Sequence, residues 1–332
     1  MKISIIIVSY NNEKWVNSCL VSLQKQTHKN FEIIWVDNNS QDKTREIVKN
    51  PEFEDLHVRL VVTEKNLGFA GGNNRGLELV TGDIIFLLNS DTEIQEDVLD
   101  KAVLFFKTHP FAGIMQNRTM LMKDTNKFDS IGSLITFTGF LKHIDPKTKD
   151  PQEEFKVFSG KGASLFIKRE VLSKTYLFED VFESYFEDSD LCARAWLAGF
   201  EVWYSPFGTT LHAGGSTALL LQSGRTDFHS FKNRLFTLLT IFELQTLTTM
   251  IPIHIMVCLF VAGMYALRGK FTKSWAVFRA MAWNIVNIPF MLKRRNKIQS
   301  KRVLTDHELF AITKDSFSLK YALKAIFGYT SF

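Results

Sequence analysis

The sequence predicts an α/β fold with a parallel sheet, followed by a helical segment of different composition. Two observations carry the first part. Apolar, β-branched runs alternate with helix-spaced segments over about the first 90 residues, which is the βαβ pattern. Asp37 and Asp91 fall at or just beyond the ends of such runs, where sheets of this kind bind ligands. One observation carries the second part: residues 244–267 contain no Asp, Glu, Lys or Arg.

Residues 3–8 (ISIIIV) form a continuous apolar run, as a strand buried on both faces requires. Trp15, Val16, Cys19, Leu20 and Leu23 have helical spacing within 13–26. Residues 31–36 are the next strand, ending at Asp37. A turn follows, with Asp42 placed to cap a helix running to about Lys49. A third strand covers 58–62. Gly68, Gly71 and Gly72 read as a flexible loop ahead of a helix from about Asn73 to Val80. Gly82-Asp83 turns into the strand 84–89. Residues 110–210 are less periodic, with strand-like runs at 133–137 and 163–167. Residues 186–198 read as a helix opening on carboxylates, which suits its positive N-terminal end, with Gly199 as its C-cap.

Composition narrows the class. The 332 residues are 45% hydrophobic and 23% charged, which excludes a disordered tail and a low-complexity scaffold. Cys19, Cys192 and Cys258 are too few and too scattered for a disulfide framework or a zinc ribbon, so a reducing, cytoplasmic compartment is expected. The N-terminal MKISIIIVSY reads as a strand and not as a signal peptide. The net charge of +5 is uneven: residues 244–302 hold ten basic side chains and no acidic one, and the remainder has 30 basic against 35 acidic. A basic stretch mixed with aromatics points to an anionic membrane surface and away from nucleic acid.

Four polar clusters carry the chemistry. Ser9-Tyr10-Asn11 with Asp37 offers a ring to stack on a base and a carboxylate to accept a base N–H or a ribose hydroxyl; the plain alternative is that Tyr10 packs and Asp37 caps its turn through Ser40. Residues 66–74 (NLGFAGGNN) would let backbone approach a ligand closely, or would simply enter a helix. Their glycine spacing is not G-x-G-x-x-G, which argues against a dinucleotide-binding oxidoreductase. Asn89-Ser90-Asp91 puts a carboxylate where a divalent cation bridging phosphates would sit, or merely caps the next helix. Glu187, Asp188 and Asp190 would repel one another unless a cation or a catalytic role sustains them, or they are a solvated helix start. His212 follows, beside a Gly-Gly loop.

Taken together, SIIIVSYNN (4–12), VDNNSQDKT (36–44), NLGFAGGNNRG (66–76), GDIIFLLNSDTE (82–93), GKGASLFIKREVL (160–172), YFEDSDLCARAWLAGF (185–200) and LHAGGS (211–216) resemble family 2 glycosyltransferases. These are inverting enzymes of the GT-A fold that use nucleotide sugars, and the nearest likeness is to bacterial rhamnosyltransferase-like members. The resemblance covers about residues 1–220. It implies a Rossmann-like mixed sheet with flanking helices. Tyr10 and Asp37 would contact the base, with Ser9, Asn11 and Asn66 nearby, and Asn89 and Ser90 would complete the nucleotide-sugar site. Asp91 and His212 would bind Mg²⁺ or Mn²⁺, Asp188 would be the general base, and Gly162, Ala163 and Glu187 would face the acceptor. Asn89 replaces the first Asp of the family's D-x-D, leaving one carboxylate plus His212, a set that Mg²⁺ completes with water and phosphate oxygens.

Leu244 to Leu267 would be about 36 Å long as a helix, against a hydrocarbon core of about 30 Å. A hairpin of 244–267 and 275–292 would put Arg268, Lys270 and Lys273 outside, and a single span would export all ten basic residues. Both oppose the positive-inside tendency. Helices lying in the interface are expected, with Trp275, Phe278, Trp283 and Phe290 in lipid and the basic side chains at headgroups. The alternatives are an integral segment at 244–267 and a helical subdomain packed on the catalytic domain.

The expected organisation is a catalytic domain at 1–225, divided into a nucleotide-sugar half (1–95) and an acceptor and base half (96–225), with a basic membrane-associating region at 226–332. The expected activity is metal-dependent, inverting transfer of rhamnose or a similar sugar from a dTDP- or UDP-sugar. The acceptor is a saccharide, expected to be a lipid-linked intermediate of surface polysaccharide at the cytoplasmic face of the plasma membrane. The rivals are a sugar nucleotidyltransferase and a non-catalytic membrane adaptor.

Overall fold

The computed structural model describes residues 1–214 and 223–314. The first half alternates β1 (Ile3–Ser9), α1 (Glu13–Gln24), β2 (Phe31–Asp37), α2 (Thr44–Val48), β3 (Arg59–Val62), α3 (Gly68–Leu77) and β4 (Ile84–Asn89). Strands β1, β2, β3 and β4 are parallel, with β1 between β2 and β4. Side-chain alternation explains the unbroken apolar runs. Ile6, Ile85 and Leu87 enter one core; Ile3, Ile5, Ile7, Ile84, Phe86 and Leu88 enter another on the opposite face.

The sheet then turns mixed. β5 (Thr92–Ile94), α4 (Val98–Thr108), β6 (Ala112–Leu121) and β7 (Asp124–Ser130) precede a small hairpin of β8 (Ser133–Ile135) and β9 (Leu141–His143). β10 (Phe155–Lys156) and β11 (Ser164–Lys168) lead into α5 (Arg169–Lys174), α6 (Glu187–Leu197) and β12 (Glu201–His212). The main path is β10-β12-β6-β11-β4-β1-β2-β3, with β5 on β12 and β7 on β6. β11 is antiparallel to both β4 and β6, so it joins the parallel strands to the rest of the sheet. This is the mixed GT-A sheet that the resemblance implies.

Among the described residues five helices follow: α7 (Ser223–Ile241), α8 (Leu244–Leu267), α9 (Phe271–Val286), α10 (Ile288–Gln299) and α11 (Asp306–Thr313). Phe236, Leu238, Ile241, Phe242, Met291, Ile298 and Leu309 from this region belong to the same core as Ile6 and Leu87. The helices are therefore packed onto the sheet. A third, small core of Cys258, Ala262 and Val277 lies between α8 and α9. Each core holds one cysteine: Cys192 in the first, Cys19 in the second, Cys258 in the third, all buried as free thiols.

Several expectations are corrected. The glycine run at 68–72 is not a loop: α3 already begins at Gly68. Its glycines serve packing, since a Cβ at Gly72 would meet Val8 at 2.6 Å and one at Gly76 would meet Ile6 at 2.5 Å. The segment 275–292 is not one helix, because the chain breaks at Asn287 ahead of Pro289. Trp283 is half-buried against the first core, edge-on to Phe236, and Phe290 stacks on Phe236. Trp275 and Phe278 are exposed. Nor do all ten basic residues face outward. Arg294 is buried, and Arg295 donates to the carbonyls of Leu239 and Phe242 at 2.7 Å, closing the end of α7. Arg302 pairs with Asp306 at 2.9 Å.

Candidate active site

Parallel register sets the first wall. Val8 lies opposite both Val36 and Asn89, and Ser9 opposite Asp37, so the carboxyl ends of β1, β2 and β4 form one edge. Asp37 is fully buried. Its Oδ1 accepts from Ser40 N–H at 3.0 Å and from Arg45 Nε at 2.9 Å, while Oδ2 accepts from Ser9 Oγ at 3.5 Å. Ser9 Oγ in turn accepts from Trp35 Nε1 at 2.8 Å. Asn11 adopts a left-handed conformation (φ 49°) and locks the facing turn, its N–H donating to Ser40 Oγ and its Oδ1 accepting from Gln41 N–H. Tyr10 is half-buried on this rim. Asn66 is exposed, its Oδ1 accepting from Gly68 N–H at 2.8 Å as α3 begins. Ser90 is buried, with Oγ accepting from Asn12 Nδ2 at 2.5 Å.

Asp91 and His212 meet although 121 positions separate them. β5 continues from Asp91 and pairs with the end of β12, which brings His212 opposite Thr92. His212 Nε2 lies 3.4 Å from Asp91 Oδ1 and 3.4 Å from Asn89 Nδ2. Its Nδ1 lies 3.0 Å from Asp129 Oδ2, and Asp129 is bracketed by Lys161 Nζ at 2.7 Å from both oxygens. Burial opposes charging His212, but hydrogen bonds to Asp129 and Asp91 outweigh it and lift the imidazole to about 9. Burial would raise Asp129, yet His212 and Lys161 bring it down to about 2.

Among the described residues, no group of three or more His, Cys, Asp or Glu side chains could by itself hold a metal ion. The donor set nevertheless fits a divalent cation that also takes substrate oxygens. It offers one carboxylate, Asp91, and one imidazole nitrogen, His212 Nε2, whose other nitrogen is fixed by a carboxylate.

The opposite wall carries the acidic cluster. Ala163 C=O accepts from Asn89 N–H at 3.0 Å, and the neighbouring Gly162 N–H donates to Asp188 Oδ2 at 2.9 Å. Asp188 Oδ1 accepts from Ser189 N–H at 2.6 Å and Ser189 Oγ at 3.1 Å. Gly162 is tight, since a Cβ there would meet Phe69 at 3.3 Å and Asp188 at 3.5 Å. Burial pushes Asp188 above the usual carboxylate range, against the hydrogen bonds that favour its ionised form. Glu187 is raised well above its ordinary value, chiefly by burial and then by Asp188, and its Oε2 has no hydrogen-bond partner among the described residues.

The rise at Asp188 comes from burial, opposed by the Gly162 and Ser189 hydrogen bonds and by Lys161. Asp190 is turned away into a wholly buried ion cluster, where Arg194 Nε (2.7 Å), Arg294 Nη2 (2.6 Å to each oxygen) and Thr237 Oγ1 (2.7 Å) all reach it. Two arginines are the cations that sustain this carboxylate.

The segment entering α6 is strained. Glu183, Tyr185 and Phe186 have φ of 57°, 70° and 73°, a left-handed conformation costing about 1–3 kcal/mol at each non-glycine residue. Gly68 touches this segment, where a Cβ would sit 2.6 Å from Glu183 O.

The structure thus brings Asn89, Ser90, Asp91, His212, Gly162, Ala163 and Asp188 to one edge, with Ser9, Tyr10, Asn11 and Asp37 along it. Gly215 and Ser216 of the LHAGGS motif lie outside the described residues. Sequence reasoning missed Asp129 and Lys161. Asp129 stands in a polar stretch (KDTNKFDS) with no periodicity or motif, and only the pairing of β7 with β6 delivers it to His212.

Residues 4–175 match the sequence model of the family described as Glycosyl transferase family 2. The chain is 34% identical over 158 residues to an uncharacterized glycosyltransferase of Haemophilus influenzae, covering 47% of this chain and 60% of that protein. It is 29% identical over 206 residues to the amylovoran biosynthesis glycosyltransferase AmsB of Erwinia amylovora, covering 60% of this chain and 65% of AmsB. Both alignments span less than two thirds of the relative's length. The fold is similar to that of the mannosyltransferase PcManGT from Pyrobaculum calidifontis, solved with GDP-Man and Mn²⁺. That match has a TM-score of 0.55 at 15% identity, over 90% of this chain and 85% of that one.

Proposed function

The chain belongs to glycosyl transferase family 2, and on that premise we propose that it catalyses inverting transfer of a sugar such as rhamnose from a dTDP- or UDP-sugar to a saccharide acceptor. The observation that carries this reading is the Gly162-Ala163 bridge. One peptide pair ties the Asn89-Ser90-Asp91 turn on one side to Asp188 on the other. A carboxylate base on one side of one loop and the Asp91 turn on the other suit a displacement in which the nucleophile enters on the face opposite the departing diphosphate.

Asp188 accepts the proton of the acceptor hydroxyl as oxygen bonds to the anomeric carbon, which base catalysis speeds by about 10²–10⁴. Its raised pKa favours the uptake. The bond to the nucleoside diphosphate breaks on the opposite face, and one displacement inverts the centre. Asp91 and His212 would hold Mg²⁺ or Mn²⁺, and such an ion supplies neutralisation of the growing diphosphate charge. Asp129 keeps His212 Nε2 directed at Asp91. Ser9, Tyr10, Asn11, Asp37 and Asn66 line the base and ribose end, and Glu187 faces the acceptor beside Asp188.

A lipid-linked acceptor and a peripheral seat on the cytoplasmic face of the plasma membrane complete the reading. Supporting them is an exposed face on α8 and α9 carrying Met256, Leu259, Phe260, Leu267, Phe271, Trp275, Phe278, Ile285 and Val286, with Arg268 and Arg279 beside it. α8 is also long and apolar enough to cross a membrane by length and composition. The charge argument given above favours the interface instead.

The test is a panel of nucleotide sugars assayed for nucleoside diphosphate release with an oligosaccharide acceptor, with and without EDTA. One donor should give metal-dependent release that Asp188→Asn abolishes. Pyrophosphate release would identify nucleotidyl transfer, and turnover of no donor would favour the adaptor.

A further inference from the structure

The C-terminal helices reach the two ends of the segment that carries Asp188. On its upstream side stands Asn233 of α7, fully buried. Its Nδ2 faces three backbone carbonyls in the left-handed entry, Phe182 O at 3.0 Å, Ser184 O at 3.1 Å and Tyr185 O at 2.6 Å. Lys232, next to it, donates to Val181 O. On the downstream side stands Arg294 of α10. It grips both oxygens of Asp190 and donates through Nε to Tyr176 Oη at 2.8 Å and Glu179 Oε1 at 2.9 Å, and through Nη1 to Thr240. Asp188 lies between these two holds, on the first turn of α6.

We infer that Asn233 and Arg294 are positioning residues for the catalytic base, so that the helical region is part of the catalytic apparatus as well as a docking surface. Three consecutive facts carry the step. The backbone before Asp188 is in a conformation that side chains other than glycine rarely adopt, so something outside the segment must hold it. The amide facing the carbonyls of that segment belongs to α7. The carboxylate two residues after the base is fixed by a guanidinium from α10. Arg194, on α6 itself, ties the helix to the loop before it by donating to Tyr176 O at 2.5 Å and Leu177 O at 2.7 Å; Arg294 adds the tie to a separate element, α10. α10 presents Met291, Arg294 and Ile298 inward and leaves Leu292, Lys293 and Lys297 exposed.

The inference rests on the proposed role of Asp188 as base, and the experiment separates the two. Full-length Arg294→Lys and Asn233→Ala are compared with the parent for kcat, donor KM, the pH profile of kcat and the circular dichroism spectrum. A misplacement of the base by about an ångström costs on the order of 100-fold in rate. The expected result is a fall of about 10- to 100-fold in kcat, an unchanged donor KM, and an acidic limb moved to lower pH as water reaches Asp188. Unchanged kcat and limb, or a donor KM that rises in step with the loss of kcat, overturns the inference. Should both variants fail to fold, Thr237→Val decides on the same readouts, since it removes one neutral hydrogen bond to Asp190 without unpairing a charge. An active Asp188→Asn defeats the base assignment. An inactive Asp188→Asn beside a fully active Arg294→Lys defeats only the positioning role.

Discussion

Gly162 holds Asp188 by a backbone N–H, 2.9 Å from Oδ2, and a Cβ on the same residue would sit 3.3 Å from the Phe69 ring and 3.5 Å from Asp188 Cβ. Among the described residues no cation is in hydrogen-bond contact with the carboxylate, whose partners are Gly162 and Ser189. Asp188→Asn keeps the shape and removes the basicity. We expect kcat to fall by about 10²–10⁴ with donor KM unchanged. The acidic limb of the kcat profile of the parent enzyme should lie above the ordinary aspartate value of 3.8, because burial raises this group. Near-full kcat in Asp188→Asn, with Glu187→Gln inactive, would reassign the base.

Asp129 fixes His212 through Nδ1, so Nε2 is the nitrogen offered to Asp91. Removal of such an outer carboxylate typically costs about 10–100-fold in metal affinity. Mn²⁺ titration of Asp129→Asn followed by electron paramagnetic resonance should show a loss in that range. Affinity equal to the parent's would mean His212 is not a ligand. EDTA should stop transfer and added Mg²⁺ or Mn²⁺ restore it.

Glu187 holds its proton to a pH well above 4.5 in the folded chain, through burial and the nearby Asp188. The folded state then binds more protons than the unfolded one from about the ordinary value upward, and stability falls as pH rises through that window. Glu187→Gln removes this contribution. Its melting temperature should therefore exceed that of the parent at pH 8 by more than at pH 4.5. A difference independent of pH would show that Glu187 ionises normally.

The exposed face of α8 and α9 should bind vesicles containing anionic lipid and be released in large part by high salt. Trp275→Ser with Phe278→Ser should weaken binding without lowering the melting temperature, since both side chains are exposed. The salt response should be shallower than ten charges would give, because Arg294, Arg295 and Arg302 are engaged inside. Resistance to both salt and alkaline carbonate would instead mean that α8 spans the bilayer.

β1 and β4 were legible because they are buried on both faces, which forces the runs ISIIIV and IIFLLN that no amphipathic helix would carry. α6 was legible from its carboxylate start and its glycine stop, and Gly199 does take φ 87° just beyond its end. The helical start at Gly68 was hidden. Glycine signals freedom in a sequence, whereas here Gly72 and Gly76 exist so that α3 can lie close on β1. The partners of the site were hidden for another reason. Asp129 reaches His212, and Arg294 reaches Asp190, across 83 and 104 positions of chain. No local pattern encodes a contact that only the assembled sheet and helices create.

The three cysteines, one to each core, have a practical consequence. Burial pushes Cys19 and Cys192 up to about 12 and Cys258 to about 11, so none offers a thiolate to reagent at neutral pH while its core is closed. Alkylation therefore needs an opening event. With mass spectrometry to read which thiol has reacted, the native chain carries its own set of reporters for the order in which its parts come apart. Graded urea would show whether the contact between α8 and α9 loosens at Cys258 while the sheet around Cys19 and Cys192 stays shut.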